Sequence, residues 1–410
     1  MSGFRPERGA DGRLRVAGCD AVALAEEHGT PLQLYDAGAL RARARAIRSA
    51  LAAALPARET VVAFASKACP LPPVLRVLAE EGAHCDVASG GELALALAGG
   101  FDGERLVLHG NAKRDADIRA ALDAGVGLIV VDGPDDLDRL ERHGARAQPV
   151  LLRITPGIEA DTHAAIRTGH AGSKFGVPLD RAGELIERLA ASPAVALRGL
   201  HVHLGSQILD VATFAAGIRA LAGLPRFDTL DVGGGLGIAY GPDDAAPSLE
   251  AWAAAVAEAV EEFHPDVRTV MVEPGRSLVG PCATTLYRVV TVKRYDARAT
   301  VAVDGGLSDN LEPLYGIRFD ALHADRPGGS EPCRLVGLHC EEGDTLADAV
   351  TLDDPRPGDL LAVPVTGAYT YSLANNYNGI PRAAVLLCED GHARPAVRRE
   401  TTADLLARLG

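Results

Sequence analysis

The chain has 410 residues, 47% of them apolar, and a formal net charge of −14. That length predicts two domains rather than one, with ample apolar material for their cores. The acidic balance argues against nucleic acid or an anionic membrane as the main partner, and no apolar run is long enough for a transmembrane helix.

From the N-terminus, MSGFRPERGADGR is polar and charged without an apolar stretch, so no secretory signal is expected. The seven cysteines (Cys19, Cys69, Cys85, Cys282, Cys333, Cys340 and Cys388) are scattered, with no CxxC pair and no Cys/His cluster of zinc spacing. They predict reduced thiols, a cytoplasmic location and no metal site. The first thirty residues are too few for a domain of their own. Strand candidates then recur at 61–65, 84–88, 105–109, 127–131, 149–154, 197–204, 229–234 and 269–275. Between them lie segments of helical period, at 72–82, 90–99, 114–124, 134–143, 179–191, 211–224 and 248–263. Eight strands alternating with helices over this length predict a (β/α)8 barrel, a TIM-like fold; a doubly wound open sheet is the competing architecture. After Gly280 strands follow one another without helices, separated by turns such as DDPRPGD, and predict an antiparallel β domain. The expected division is a barrel over 30–280, with 1–29 joining 281–410 in the β domain.

Catalytic groups of such a barrel sit where strands end. Those positions hold Lys67, Asp86, His109 with Asn111, Arg153, His203 with Ser206, Gly233-Gly234-Gly235, and Glu273 with Arg276. Each has a bland explanation: a lysine snorkelling to water, a core histidine satisfied by a carbonyl, a tight glycine turn. The set supports one chemistry. A lysine amine can form an imine with a carbonyl, a glycine turn with an arginine can hold a phosphate, and a carboxylate can keep a pyridine nitrogen protonated. Pyridoxal 5′-phosphate (PLP) needs all three.

These residues lie in FASKA, DVASGGEL, GNAK, RITPGIEADTHAAIRTGHAGSKFGV, GLHVHLGSQI, DVGGGLGI, EPGRSLVG, VDGGLSDN, CEEGDTLA, GAYTYSLANNYNG and RRETTADLL. Motif by motif, the chain resembles PLP-dependent decarboxylases with an alanine-racemase-type barrel, the diaminopimelate decarboxylases above all. The resemblance implies a carboxy-lyase that releases CO2 from a diamino acid, meso-diaminopimelate giving L-lysine in the family's usual reaction. It implies that Lys67 carries the cofactor with Asp86 beside it, that His203 stacks on the ring, and that Ser206 and Gly233–Gly235 hold the phosphate. By the same resemblance Glu273 pairs with the pyridine nitrogen, Gly275 belongs to the EPGR turn, Arg276 lies between phosphate and substrate, and Tyr369 contacts the phosphate. Cys340, the expected proton donor, and Glu341 come from a partner subunit, making a homodimer with shared active sites. An amino-acid racemase and a non-catalytic PLP-binding relative are the other classes open to this barrel.

The resemblance breaks at one place. Family members carry an Arg-Pro pair after the DGG(M)SDN loop, and the arginine grips the distal carboxylate together with a tyrosine. Here the loop reads DGGLSDNLEPLY, so Glu312 stands at the arginine's place and Tyr315 keeps the tyrosine. A carboxylate there favours a distal ammonium, and points to lysine, ornithine or an amino-acid conjugate of specialised metabolism as the alternative substrate. Two other readings remain open: Glu312 faces solvent, or Arg318 replaces the missing arginine.

Overall fold

The computed structural model describes residues 7–158, 168–170, 172–241 and 244–409. The part of the ADTHAAIRTGHAG motif at 159–167 and 171 lies outside them. The chain divides into two compact units, one of Ala42–Ile238 with Ala246–Leu278, the other of Met1–Arg41, Ala239–Ala245 and Val279–Gly410. Among the described residues no helix is long and apolar enough to cross a membrane.

The first unit is a closed parallel barrel. Its strands are β1 (Glu59–Ala65), β2 (His84–Val87), β3 (Leu106–Leu108), β4 (Leu128–Val131), β5 (Gln148–Thr155), β6 (Val195–Val202), β7 (Thr229–Asp231) and β8 (Thr269–Val272). Closure comes from β8 pairing with β1, Met271 opposite Val61, while Val130 opposite Leu151 joins β4 to β5. Ala63, Val107, Val130, Leu151 and Met271 are buried and pack together, so the barrel centre is a filled core. Two of the helices between the strands start at a capping serine. Ser89 Oγ accepts from Glu92 N–H (3.2 Å), and Ser248 Oγ from Ala251 N–H (3.0 Å). The doubly wound alternative is excluded by the closed ladder.

Three ladders stop short of the apolar runs that suggested them. β6 ends at Val202, β7 at Asp231 and β8 at Val272. Gly233 follows at φ +70°, and Pro274 has no N–H to donate. His203, the triple glycine and Glu273 therefore stand in loops beyond the strands.

The second unit is mostly strand. Its long strand, β9 (Ala283–Lys293), pairs antiparallel with β10 (Ala299–Val303), with Leu32–Asp36 and with β13 (Leu360–Pro364). Strand β11 (Glu331–Val336) runs antiparallel to β12 (Thr345–Leu352), and β14 (Ala384–Glu389) to β15 (His392–Val397). Two joins are parallel, β10 with β11 and β14 with Leu32–Asp36.

In this unit the DGGLSDN loop carries Asp309, whose carboxylate accepts from Gly306 N–H (3.1 Å). Burial, with Asp304 and Asp344 adding to it, pushes Asp309 up to about 7. The unfolded chain releases that proton near pH 4, so the native state holds more protons between pH 4 and 7. Stability from this group is complete at low pH and falls as pH rises through 7, by up to about 1.4 kcal/mol per pH unit. Asp309→Asn keeps an acceptor for Gly306 and removes the titration. Its melting temperature should therefore rise relative to wild type as pH goes from 5 to 8. Parallel curves for the two proteins would exclude Asp309 as the titrating group.

Candidate active site

Lys67 sits in a single turn, Ser66–Ala68, at the end of β1, closed by Cys69 N–H donating to Ser66 O (2.9 Å). Pro70 and Pro72 keep the turn from growing into a helix. Beneath it Gly275 packs closely, since a Cβ there would lie 3.2 Å from the Cβ atoms of Ala65 and Ala68. The Lys67 side chain is exposed at the mouth of the barrel, and its charge acts on Asp86 and His203. The lysine is exposed, as the bland reading held, yet close enough to those two groups for its charge to shift them.

Asp86 stands just inside the end of β2 and is buried, with Oδ1 3.9 Å from His109 Nε2. Burial pushes it up to about 6, against the downward pull of His109 and Lys67. His203 is half-buried, and Gly234 N–H donates to its Nδ1 (3.0 Å). That bond fixes the ring with its proton on Nε2, and burial with the Lys67 and Arg153 charges drives its pKa well down. His203 is a neutral ring of fixed orientation.

Glu273 lies just past β8 in a buried cluster with His109, His201 and Asp231. His201 Nε2 is 3.2 Å from Glu273 Oε2, and His109 Nε2 is 2.6 Å from Oε1 without a straight N–H···O line. Burial pushes Glu273 up, but the two histidines outweigh it and hold the group well below the usual carboxylate range. Asp231 goes the other way, because burial and the Glu273 charge both favour its protonated form. The surroundings thus favour the negative charge on Glu273 and the proton on Asp231. The four groups offer donor atoms within 4.8 Å of one another. They pack together as a buried acid–imidazole cluster, tied by the His201–Glu273 bond. Arg153, buried, lies with its guanidinium 4.4 Å from the Phe175 ring centre and balances these carboxylates. Asn111 is exposed in the turn after His109.

The triple glycine is shaped by backbone approach. A Cβ on Gly234 would meet Glu273 O at 2.1 Å, and one on Gly235, at φ +110°, would meet Gly205 O at 2.3 Å. Gly233 N–H donates to Asp231 Oδ1 (2.8 Å) and Gly234 N–H to His203, so these two amides serve the fold. The turn is laced to the HLGSQ loop by Ile208 N–H to Gly235 O (2.9 Å) and by Gln207, which bonds both N–H and C=O of Ile238. Arg276, buried, donates from Nε to Ser206 Oγ (3.1 Å) across the same loops. Ser206, Gly235 and Arg276 therefore lie on three neighbouring segments and offer a hydroxyl and a cation to an anion.

This donor set fits PLP. It has an amine at the mouth, a buried carboxylate held as an anion with Oε1 lacking a straight hydrogen bond, a flat neutral ring, and a serine–arginine pair at a glycine turn. His201 and Asp231 were not among the residues expected from sequence. The signal for His201 was its spacing, since residues two apart on a strand face the same way and His203 was already inward.

The remaining expected residues belong to the second unit. Glu312 is buried (2% exposed), with the Tyr240 hydroxyl 3.5 Å from its Oε2. The solvent-facing reading of Glu312 is thus wrong, because the short turn Glu312–Tyr315 carries the carboxylate inward, against Tyr240. Arg318 is exposed and Tyr315 half-buried. Tyr369 is half-buried at φ +57°, a left-handed backbone unusual for tyrosine. Cys340 and Glu341 are exposed at the tip of a turn, where Cys340 N–H donates to Asn378 Oδ1 (3.0 Å).

Comparison with known proteins agrees with this chemistry. Residues 37–280 match the family model described as the pyridoxal-binding domain of pyridoxal-dependent decarboxylases. A diaminopimelate decarboxylase of Actinosynnema pretiosum subsp. auranticum is 45% identical, over 99% of this chain and 94% of its own length. One from Bacillus subtilis is 41% identical over 96% of this chain and 94% of its own. Among solved structures, diaminopimelate decarboxylase from M. jannaschii in co-complex with L-lysine superposes with a TM-score of 0.92 at 29% identity. That match covers 100% of this chain and 98% of the other.

Proposed function

Because this chain belongs to the pyridoxal-dependent decarboxylases, we propose that it binds PLP at Lys67 and decarboxylates a diamino acid, converting meso-diaminopimelate to lysine. The observation that carries the reading is buried Glu273, placed 3.2 Å from His201 Nε2 and 2.6 Å from His109 Nε2 in the barrel whose mouth carries Lys67. When bound, PLP supplies an electron sink for the pair left as the Cα–carboxylate bond breaks. Lys67 is the amine that would hold the cofactor covalently. Glu273 is the group that would hold a proton at the ring nitrogen. His203 offers its flat face to the ring, with Nδ1 pinned by Gly234. Ser206, the Gly235 end of the triple glycine, Arg276 and Tyr369 bind the phosphate. Asp86, beside Lys67, orients the amine. Cys340 returns a proton to Cα in place of the departed CO2, with Glu341 beside it.

Cys340 and Glu341 complete the site of a second copy of the chain. Support for a dimer comes from Leu314, Leu338 and Tyr377, apolar residues exposed around the Cys340 turn. The seven cysteines are all free thiols, which suits a reducing cytoplasm. One observation favours a second substrate reading. Glu312 is a buried carboxylate, which suits a distal ammonium and opposes a distal carboxylate, so lysine or ornithine is the competing substrate class.

The test is CO2 release from meso-diaminopimelate, D- and L-lysine, D- and L-ornithine and arginine, alongside borohydride fixation of PLP followed by peptide mapping. Gas evolution with cofactor fixed on Lys67 is expected. Fixation with inversion of substrate and no gas would indicate a racemase, and absence of fixation would remove the enzyme reading altogether.

A further inference from the structure

Asp344 closes the CEEGD motif and is buried at the centre of a knot in the second unit. Its Oδ1 accepts from Leu307 N–H (2.8 Å), and its Oδ2 meets both His339 N–H (2.8 Å) and His339 Nδ1 (2.8 Å). The carboxylate occupies space that two glycines leave open. A Cβ on Gly306 would come within 2.4 Å of it, and one on Gly337 within 2.1 Å. Main-chain bonds repeat the pattern, with Gly337 N–H donating to Asp344 O (2.9 Å), Leu338 N–H to Gly305 O (3.0 Å) and Asp344 N–H to Glu341 O (3.1 Å). One acceptor group thus joins the DGG loop to the turn that carries Cys340. The His339 ring stacks on Tyr377 (5.8 Å between centres, planes 17° apart), and the residue after Tyr377, Asn378 at φ +54°, holds the amide of Cys340. The peptide on the N-terminal side of the thiol is therefore fixed through His339 and through Asn378, while the side chain itself is exposed.

We propose that Asp344, acting through His339, is the positioning residue that sets the direction in which the Cys340 thiol is presented. The proposal rests on Cys340 being the proton donor. A carboxylate suits the task because it accepts from several donors at once, whereas an amide would set an NH2 group against one of those N–H donors. The loop is built before any substrate arrives, and a shift of about 1 Å at a proton donor can cost on the order of 100-fold in rate.

Asp344→Asn and His339→Phe test it, the second keeping the stack on Tyr377 while removing the bond to Asp344. Each should lower kcat roughly 10- to 100-fold with little change in KM. Borohydride should still fix PLP on Lys67 to the wild-type extent. Cys340→Ala and the double variant Cys340→Ala/His339→Phe complete the cycle. If His339 acts only through the thiol, the double variant will be no slower than Cys340→Ala alone. Additive losses, or wild-type turnover in His339→Phe, would overturn the positioning role. Full activity in Cys340→Ala would instead remove the assignment of Cys340, a separate failure. Should Asp344→Asn not fold, His339→Phe and the cycle still decide.

Discussion

Replacing Lys67 by alanine should abolish turnover, by roughly 10⁴-fold or more, while leaving the fold intact. The two halves of this expectation come from one observation. The side chain is exposed, so deleting it opens no cavity, and its removal should change stability by no more than about 0.5 kcal/mol. Its amine nevertheless stands where its charge is felt by buried Asp86 and by the His203 ring. Without that charge, Asp86 loses one of the influences holding it down and moves up from about 6, so a proton settles beside the cofactor site. The measurement is a progress curve with PLP and substrate, a thermal melt, and borohydride fixation with peptide mapping. The variant should melt with wild type, fix no cofactor at position 67, and recover part of its activity when a small primary amine is supplied. Turnover near the wild-type rate would show that the bond to the cofactor is made elsewhere.

The barrel was legible because its strands are short apolar runs and its helices keep a 3.6-residue period with caps such as Ser89 and Ser248. Two things were not. The strand Leu32–Asp36 is wholly buried and pairs with Ala384–Cys388, at the opposite end of the chain, a pairing for which a single sequence carries no local signal. Strand β12 (Thr345–Leu352) carries a weak signal, because exposed Asp348 and Thr351 break its apolar run into a mixed pattern. At the site, most barrel residues that sequence singled out lie beyond a strand end, while Asp86 and Arg153 stand just inside β2 and β5. The inner layer that sets their charge was harder to read. Asp231 looked like a strand residue before a glycine turn, and only the geometry shows it buried in the cluster with Glu273, where burial and the Glu273 charge push its pKa up. Motif spacing reports which residues meet; it does not report which of two buried carboxyl groups carries the charge.

Glu312→Arg should turn the substrate preference toward diaminopimelate. The ratio of kcat/KM for meso-diaminopimelate to that for lysine or ornithine should rise by about 100- to 1,000-fold. The reasoning starts from burial. A carboxylate 2% exposed, with the Tyr240 hydroxyl 3.5 Å away, is held inside its unit, where water screens a charge poorly. Facing the far end of a substrate there, it attracts an ammonium and repels a carboxylate. A guanidinium does the reverse and can bind the carboxylate through two parallel bonds. Exchanging one for the other changes the discrimination by several kcal/mol, about 1.4 kcal/mol for each tenfold step. The Arg variant places a longer side chain where Tyr240 and Phe319 pack edge to face, so a thermal melt belongs beside the kinetics, and Glu312→Gln provides a smaller control. Removing the charge without reversing it should give about half the shift on a logarithmic scale. If both variants keep the wild-type ranking across the same substrate panel while folding normally, Glu312 does not face the substrate, and the discrimination between diaminopimelate and shorter diamino acids lies in other residues.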